Sequence, residues 1–241
     1  MAKGKIYVGT SGWNYKHWQG NFYPEDLKHK EWLKFYSEKL KTVEINNSFY
    51  QLPDTKTFKN WKDITPKKFM FSVKGSRYIT HMKKLKDPKQ SGKKLFTRIK
   101  HLKSKLGPVL FQLPPKWRFN KERFEKFLKS LSGRYRYTFE FRDQSWWNDE
   151  ALELLKKHNA AFCIYELAGT ITPKEITADF IYIRLHGPGN KYQGNYSKRE
   201  LSGWAGAITN WQKKKDVYIY FDNDDSGYAV KNAMELSGMV E

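Results

Sequence analysis

Phe180-Ile181-Tyr182-Ile183-Arg184-Leu185-His186 and Tyr137-Thr138-Phe139-Glu140-Phe141-Arg142 alternate apolar and polar residues. Side chains alternate across a β-strand, so Tyr182, Arg184 and His186 share one face while Ile181, Ile183 and Leu185 share the other. Likewise Thr138, Glu140 and Arg142 oppose Phe139 and Phe141. Six further short runs read as strands: Ile6–Gly9, Thr42–Asn46, Phe69–Lys74, Val109–Leu113, Ala161–Tyr165 and Val217–Asp222. Helical periodicity fills most gaps between them. Trp32, Leu33, Tyr36 and Leu40 lie on one face, as do Phe124, Phe127, Leu128 and Leu131. Further helices are predicted from Asp149, around Trp204 to Trp211, and from about Ser226 to Leu236.

Eight strands alternating with helices predict parallel pairing through right-handed crossovers, and eight strands close a barrel. The predicted fold class is therefore α/β, a single (β/α)8 TIM barrel spanning residues 1–241. The segment from Leu167 to Asp179 looks like loop broken by Pro173, so the sixth helix is expected to be short or missing. An open doubly wound sheet is disfavoured because no glycine-rich phosphate loop follows an early strand.

Helices cover the outside of such a barrel, so the polar parity must point inward. It becomes more polar toward the C-terminal strand ends, where barrel enzymes place their chemistry. Glu44, Lys74, Glu140, Arg142, Arg184, His186 and Asp222 are the candidate catalytic residues, and Glu140, His186 and Asp222 the candidate metal ligands. An ion-pair network filling the upper barrel would need the same residues, because buried charges must be paired. The loops at that end are aromatic and polar. Trp13, Asn46, Tyr50, His81, Gln112, Trp146, Tyr192, Tyr196, Asn223 and Asp224 are the candidate substrate-binding residues, the rings suiting sugars or bases. The loops from His186 to Gly189 and from Asn223 to Gly227 follow the last two strands, the usual phosphate site of barrels. Pro114-Pro115 makes a rigid exit from the fourth strand, where a cis bond is an option.

The net charge is +20. Residues 54–136 hold 25 of the 45 Lys and Arg but 5 of the 25 Asp and Glu, so this sector carries the whole surplus. A localised basic surface suits nucleic acid or another polyanion. A lysine-rich solvated set of helices accounts for the same count. Cys163 is the one cysteine and sits in an apolar run, which leaves no intrachain disulfide partner. No apolar stretch reaches membrane length, and the start resembles no signal peptide; a cytoplasmic setting is expected.

The chain resembles the YecE-like family, also called domain of unknown function 72. The matching stretches are Gly9-Thr10-Ser11-Gly12-Trp13 with Trp18, Phe22-Tyr23-Pro24, Val43-Glu44-Ile45-Asn46 with Phe49-Tyr50, and Phe71-Ser72-Val73-Lys74. They continue through Ile79-Thr80-His81, Leu106-Gly107-Pro108, Gln112-Leu113-Pro114-Pro115, Glu140-Phe141-Arg142 with Ser145-Trp146, Arg184-Leu185-His186-Gly187, Tyr192 with Tyr196, and Asn223-Asp224 with Tyr228-Ala229. The resemblance implies a TIM barrel and supplies no reaction. A suggested likeness to endonuclease-IV-type barrels would imply nucleic acid and a divalent metal. Asp143 stands where the family commonly has His, and Glu166 near where it has Asp.

Three functions fit these residues. The leading one binds or processes nucleic acid or a phosphorylated ligand at the barrel mouth, with a divalent metal as an optional cofactor. The second is a carbohydrate-active hydrolase using Glu44 and Glu140, with Trp13 and Trp146 as sugar platforms. The third is a non-catalytic scaffold that binds a partner through its basic sector.

Overall fold

The computed structural model describes residues 3–240. Strands β1 (Ile6–Thr10), β2 (Thr42–Ile45), β3 (Met70–Lys74), β4 (Leu106–Leu113), β5 (Tyr137–Phe141), β6 (Ala161–Leu167), β8 (Phe180–Leu185) and β9 (Asp216–Phe221) pair in parallel in the order β1-β9-β8-β6-β5-β4-β3-β2. Helices α1 (Trp32–Lys39), α2 (Thr55–Ile64), α3 (Pro88–Ile99), α4 (Lys121–Ser130), α5 (Asp149–Lys157), α6 (Lys198–Gln212) and α7 (Tyr228–Val240) lie between or after them. The eight-stranded barrel read from alternation is thus present, and it is nearly closed. At the seam β1 and β2 meet through a single bridge, Ser11 to Glu44, and the Gly12 N–H donates to the Glu44 carbonyl at 2.9 Å.

The sixth crossover contains no helix. Strand β7 (Thr170–Ile171) turns back antiparallel on β6 instead. The following segment binds β6 through hydroxyls, Thr172 Oγ1 accepting from the Tyr165 N–H at 3.0 Å and Thr177 Oγ1 from the Phe162 N–H at 2.8 Å. Strand β4 starts three residues earlier than alternation indicates. The expected option of a cis bond at Pro114-Pro115 is not taken: no peptide bond is cis among the described residues.

The core divides as parity requires. Ile181, Ile183, Leu185, Phe139 and Phe141 pack outward under the helices. Inside, the lower barrel is filled by Leu110, Ala161, Cys163, Phe180, Tyr182, Tyr218 and Tyr220. The Cys163 thiol is buried there, and burial pushes its pKa up, as befits an inert packing group. Tyr220 Oη meets Thr42 Oγ1 and Ser72 Oγ, each at 2.7 Å, which makes a polar belt above this plug. The charges lie above the belt. No helix among the described residues is long and apolar enough to cross a membrane.

Candidate functional site

Arg184, fully buried on β8, organises the upper barrel. Its Nε and Nη2 donate to Glu44 Oε2 and Oε1 at 3.0 and 2.7 Å, the bidentate geometry that a planar guanidinium favours. Its Nη1 donates to Glu140 Oε2 at 2.7 Å, and Nη2 also reaches Asp222 Oδ2 at 3.0 Å and Ser11 Oγ at 3.1 Å. Glu44 takes further bonds from Ser11 Oγ at 2.5 Å and Tyr182 Oη at 2.7 Å. Arg142 closes the other side: its Nε donates to Glu140 Oε1, and its guanidinium lies 4.9 Å from the Tyr165 ring centre. Burial pushes the Glu140 carboxyl up, but Arg142 and Arg184 outweigh it and hold it well below the usual carboxylate range. Asp222 follows the same pattern, with Arg184 as the dominant cation.

His186 sits between these groups as a neutral ring. Its Nε2 faces the Arg184 Nη1 at 3.2 Å and the Arg142 Nη2 at 3.1 Å, and both of those are donors. Nε2 must therefore be the acceptor, which places the proton on Nδ1, 3.0 Å from Asp222 Oδ2. Burial, then Arg184, lowers its pKa, in agreement with a neutral ring. A divalent cation does not suit Glu140, His186 and Asp222 in this arrangement. Their donor atoms already face two guanidiniums, which would repel a metal, and among the described residues no three His, Cys, Asp or Glu side chains gather as a metal site.

Lys74 differs from its neighbours. It ends β3, is 7% exposed, and its ammonium lies 4.5 Å from the centre of the Phe49 ring. No carboxylate among the described residues pairs with it, since Glu44, Glu140 and Asp222 turn to the arginines. Burial, then the charge of Arg184, lowers its pKa to about 8. Lys74 lines a cavity of about 320 Å³ with Asn46, Tyr50, Lys191, Tyr192, Asp222 and Asp224. Asn46 Oδ1 is buried there without a partner. Asp224 accepts from Trp18 Nε1 at 2.9 Å and meets His17 Nε2 at 2.9 Å; burial raises its pKa to about 6. Gly187, at φ +112, lets the next loop double back, so that the Tyr192 N–H donates to the His186 carbonyl at 2.6 Å.

A second cavity, of about 500 Å³, shares Asn46 and Tyr50 with the first. Trp13, Tyr15 and Trp61 supply its rings, and Asn14, Asn47 and Asn60 its amides. Trp61 on α2, Phe49 under Lys74, and Tyr182 and Ser11 on Glu44 were absent from the expected site. Ser11 and Phe49 lay inside the family-like stretches and Tyr182 on the correct strand parity, whereas no signal in the sequence singled out Trp61.

Other expected ligand contacts are structural. Trp146 is fully buried, stacks on Phe141 at 4.8 Å and donates Nε1 to the Trp117 carbonyl at 2.6 Å, so no ring face is left for a sugar. Tyr196 is buried and its Oη accepts from the Gly187 N–H. Asn223 is buried, its Nδ2 donating to the Gly194 carbonyl and to Asn232 Oδ1. His81 packs edge-on against Phe49 at 5.1 Å, and Gln112 sits in register beside Glu140; neither lines the two cavities. Asp143 caps a short helix by accepting from the Ser145 N–H and Oγ, so that departure from the family pattern falls outside the charged cluster. Glu166 is buried, which raises its pKa.

Known proteins share this architecture over the whole chain. The chain is 25% identical to the UPF0759 protein YunF of Bacillus subtilis (strain 168), across 98% of this chain and 95% of that protein. The crystal structure of a DUF72 family protein from Thermotoga maritima MSB8 superposes with a TM-score of 0.89 at 30% identity, covering 98% of this chain and 99% of the other. A DUF72 family protein from Enterococcus faecalis V583 shares the fold, with a TM-score of 0.75 at 18% identity, 98% of this chain and 95% of that one being covered. The family described as "Protein of unknown function DUF72" matches residues 7–241, and to that family this chain belongs.

Proposed function

We propose that the barrel mouth binds a phosphorylated, sugar-bearing ligand, with the ring in the aromatic cavity and the phosphate near Lys74. The observation that carries this reading is Lys74 itself. A buried ammonium that touches no carboxylate is costly to keep charged, and an anionic ligand in the cavity would pair with it directly. The adjoining cavity offers what a sugar or base needs: rings to stack on and amides to bond with. The acid–base centre expected around Glu140 and His186 is saturated by arginines, so the binding role moves to the Lys74 side. A glycoside hydrolase needs a carboxylic acid with a raised pKa, and Glu140 is held low instead. Each oxygen of Glu44 and Glu140 also already accepts from a guanidinium.

Nucleic acid is the second reading, favoured by one observation. Tyr50, 72% exposed, borders both mouth cavities and also a third, of about 680 Å³, lined by Lys94 and Arg98 of the basic sector. A strand anchored at the mouth would run from Tyr50 onto those cations. Ribose 5-phosphate, adenosine monophosphate and a short single-stranded oligonucleotide, titrated against tryptophan fluorescence and calorimetry, test both readings. Saturable binding is expected, weakened about 5- to 150-fold by Trp13→Ala or Tyr50→Ala, as for a lost stacking partner. Oligonucleotide binding should fall steeply with salt. Absence of binding by all three probes at low salt would refute the proposal.

A further inference from the structure

We propose that Lys74 forms an imine with the open-chain aldehyde of a phosphorylated pentose held at the mouth, which gives the site an amine-based activity. The proposal rests on the ligand reading above for the sugar phosphate itself; in the open-chain form the aldehyde carbon takes the place beside Lys74 and the phosphate turns to Lys191, which lines the same cavity. The same aldehyde occurs in free deoxyribose 5-phosphate and in an oligonucleotide from which a base has been lost.

Three features of Lys74 carry it. It sits at the C-terminal end of a barrel strand, where barrel chemistry is placed, and lines the mouth cavity. It lies against the Phe49 ring, and among the described residues no carboxylate pairs with it, so its amine is not committed to a structural ion pair. Its environment is dry and Arg184 lies near, the two influences that lower its pKa against the opposing charges of Glu44, Glu140 and Asp222. A pKa of about 8 in place of 10.5 raises the neutral fraction at pH 7.5 by roughly 200-fold over an exposed lysine.

The step balances without an oxidant or reductant. The neutral Nζ lone pair attacks the aldehyde carbon; the N–C bond forms as the C=O π pair moves to oxygen, which takes a proton. The carbinolamine then loses its hydroxyl, with a proton, as water, and the nitrogen pair closes the C=N bond. Asp224 lines the same cavity, and its carboxyl, raised to about 6, is suited to give and recover that proton.

The test treats the full chain with deoxyribose 5-phosphate, or with an abasic oligonucleotide, in the presence of sodium cyanoborohydride. Peptide mapping should find one reduced adduct, at Lys74, forming fastest between about pH 6 and 8, where neutral Lys74 and protonated Asp224 are both partly present. Lys74→Arg keeps the charge and should form no adduct there; Lys74→Met should behave alike. The substrate that is trapped identifies the source of the aldehyde. Ribitol 5-phosphate, which has no carbonyl, reports binding separately by tryptophan fluorescence. If it binds but Lys74 traps neither aldehyde, the imine is refuted while the ligand reading stands. Labelling spread evenly over surface lysines, or unchanged in Lys74→Arg, would also overturn the proposal. Failure of ribitol 5-phosphate, ribose 5-phosphate and the oligonucleotide to bind would remove the ligand reading beneath it.

Discussion

Arg184→Met is expected to destabilise the fold by about 3–5 kcal/mol, the range for removing one partner from a buried ion pair. Here one guanidinium serves Glu44, Glu140 and Asp222 together, so the loss sits at the upper end of that range. A typical domain has about 5–15 kcal/mol of total stability, so the variant should be marginally folded at best. Arg184→Lys should not rescue it: an ammonium cannot make the fork to Glu44 while also reaching Glu140. The instructive control is Arg184→Met combined with Glu44→Gln and Asp222→Asn, which removes the stranded charges along with their partner while Glu140 keeps its bond to Arg142. Its stability should recover part of the loss, and the non-additivity measures the coupling. Urea unfolding followed by far-ultraviolet circular dichroism reads all of these variants. A midpoint for Arg184→Met equal to that of the parent chain would show that the cluster contributes nothing to stability.

The residues of that cluster were legible in advance because strand periodicity is strict. Once β8 is a barrel strand, Arg184 must point opposite to Ile183, and the apolar helices leave it only the interior. Its pairing was not legible. Tyr182 and Arg184 meet Glu44 from 138 and 140 residues away along the chain, and rotamers across the barrel decide which oxygen meets which nitrogen. The rings show the same limit. Trp13 and Trp146 both follow strands and look alike in sequence. Trp13 lines a cavity with Trp61, whereas Trp146 is enclosed by Phe141, Trp117, Phe119 and Phe124. Only tertiary packing separates a platform from a core residue. The missing sixth helix was legible from Pro173 and the weak periodicity before Asp179. Its replacement, hydroxyls of Thr172 and Thr177 binding β6, followed from no local rule.

Gly9→Ala tests the seam on which the whole site depends. A Cβ on Gly9 would lie 2.2 Å from the Thr42 carbonyl oxygen and 2.9 Å from its carbon, both backbone atoms of β2. No rotamer change relieves such a contact, so β1 must move away from β2. Overpacking of this kind costs about 3 kcal/mol, which lowers the unfolding midpoint by about 6–12 °C for a domain of this length. Gly133, where an added Cβ meets nothing within 4 Å, is the control, and Gly133→Ala should leave the midpoint nearly unchanged. The consequence for the mouth is sharper than for stability. The Ser11–Glu44 bridge closes the barrel two residues beyond Gly9, and Ser11 Oγ holds the Glu44 carboxylate that faces Arg184. Displacing β1 therefore loosens Glu44, frees Arg184 to shift between its carboxylates, and disturbs the field that keeps the Lys74 amine partly neutral. At a temperature where Gly9→Ala is still folded, ribose 5-phosphate binding should already be weakened, while Gly133→Ala binds as the parent does. Equal binding by Gly9→Ala and the parent chain would separate the seam from the site and contradict this chain of dependence.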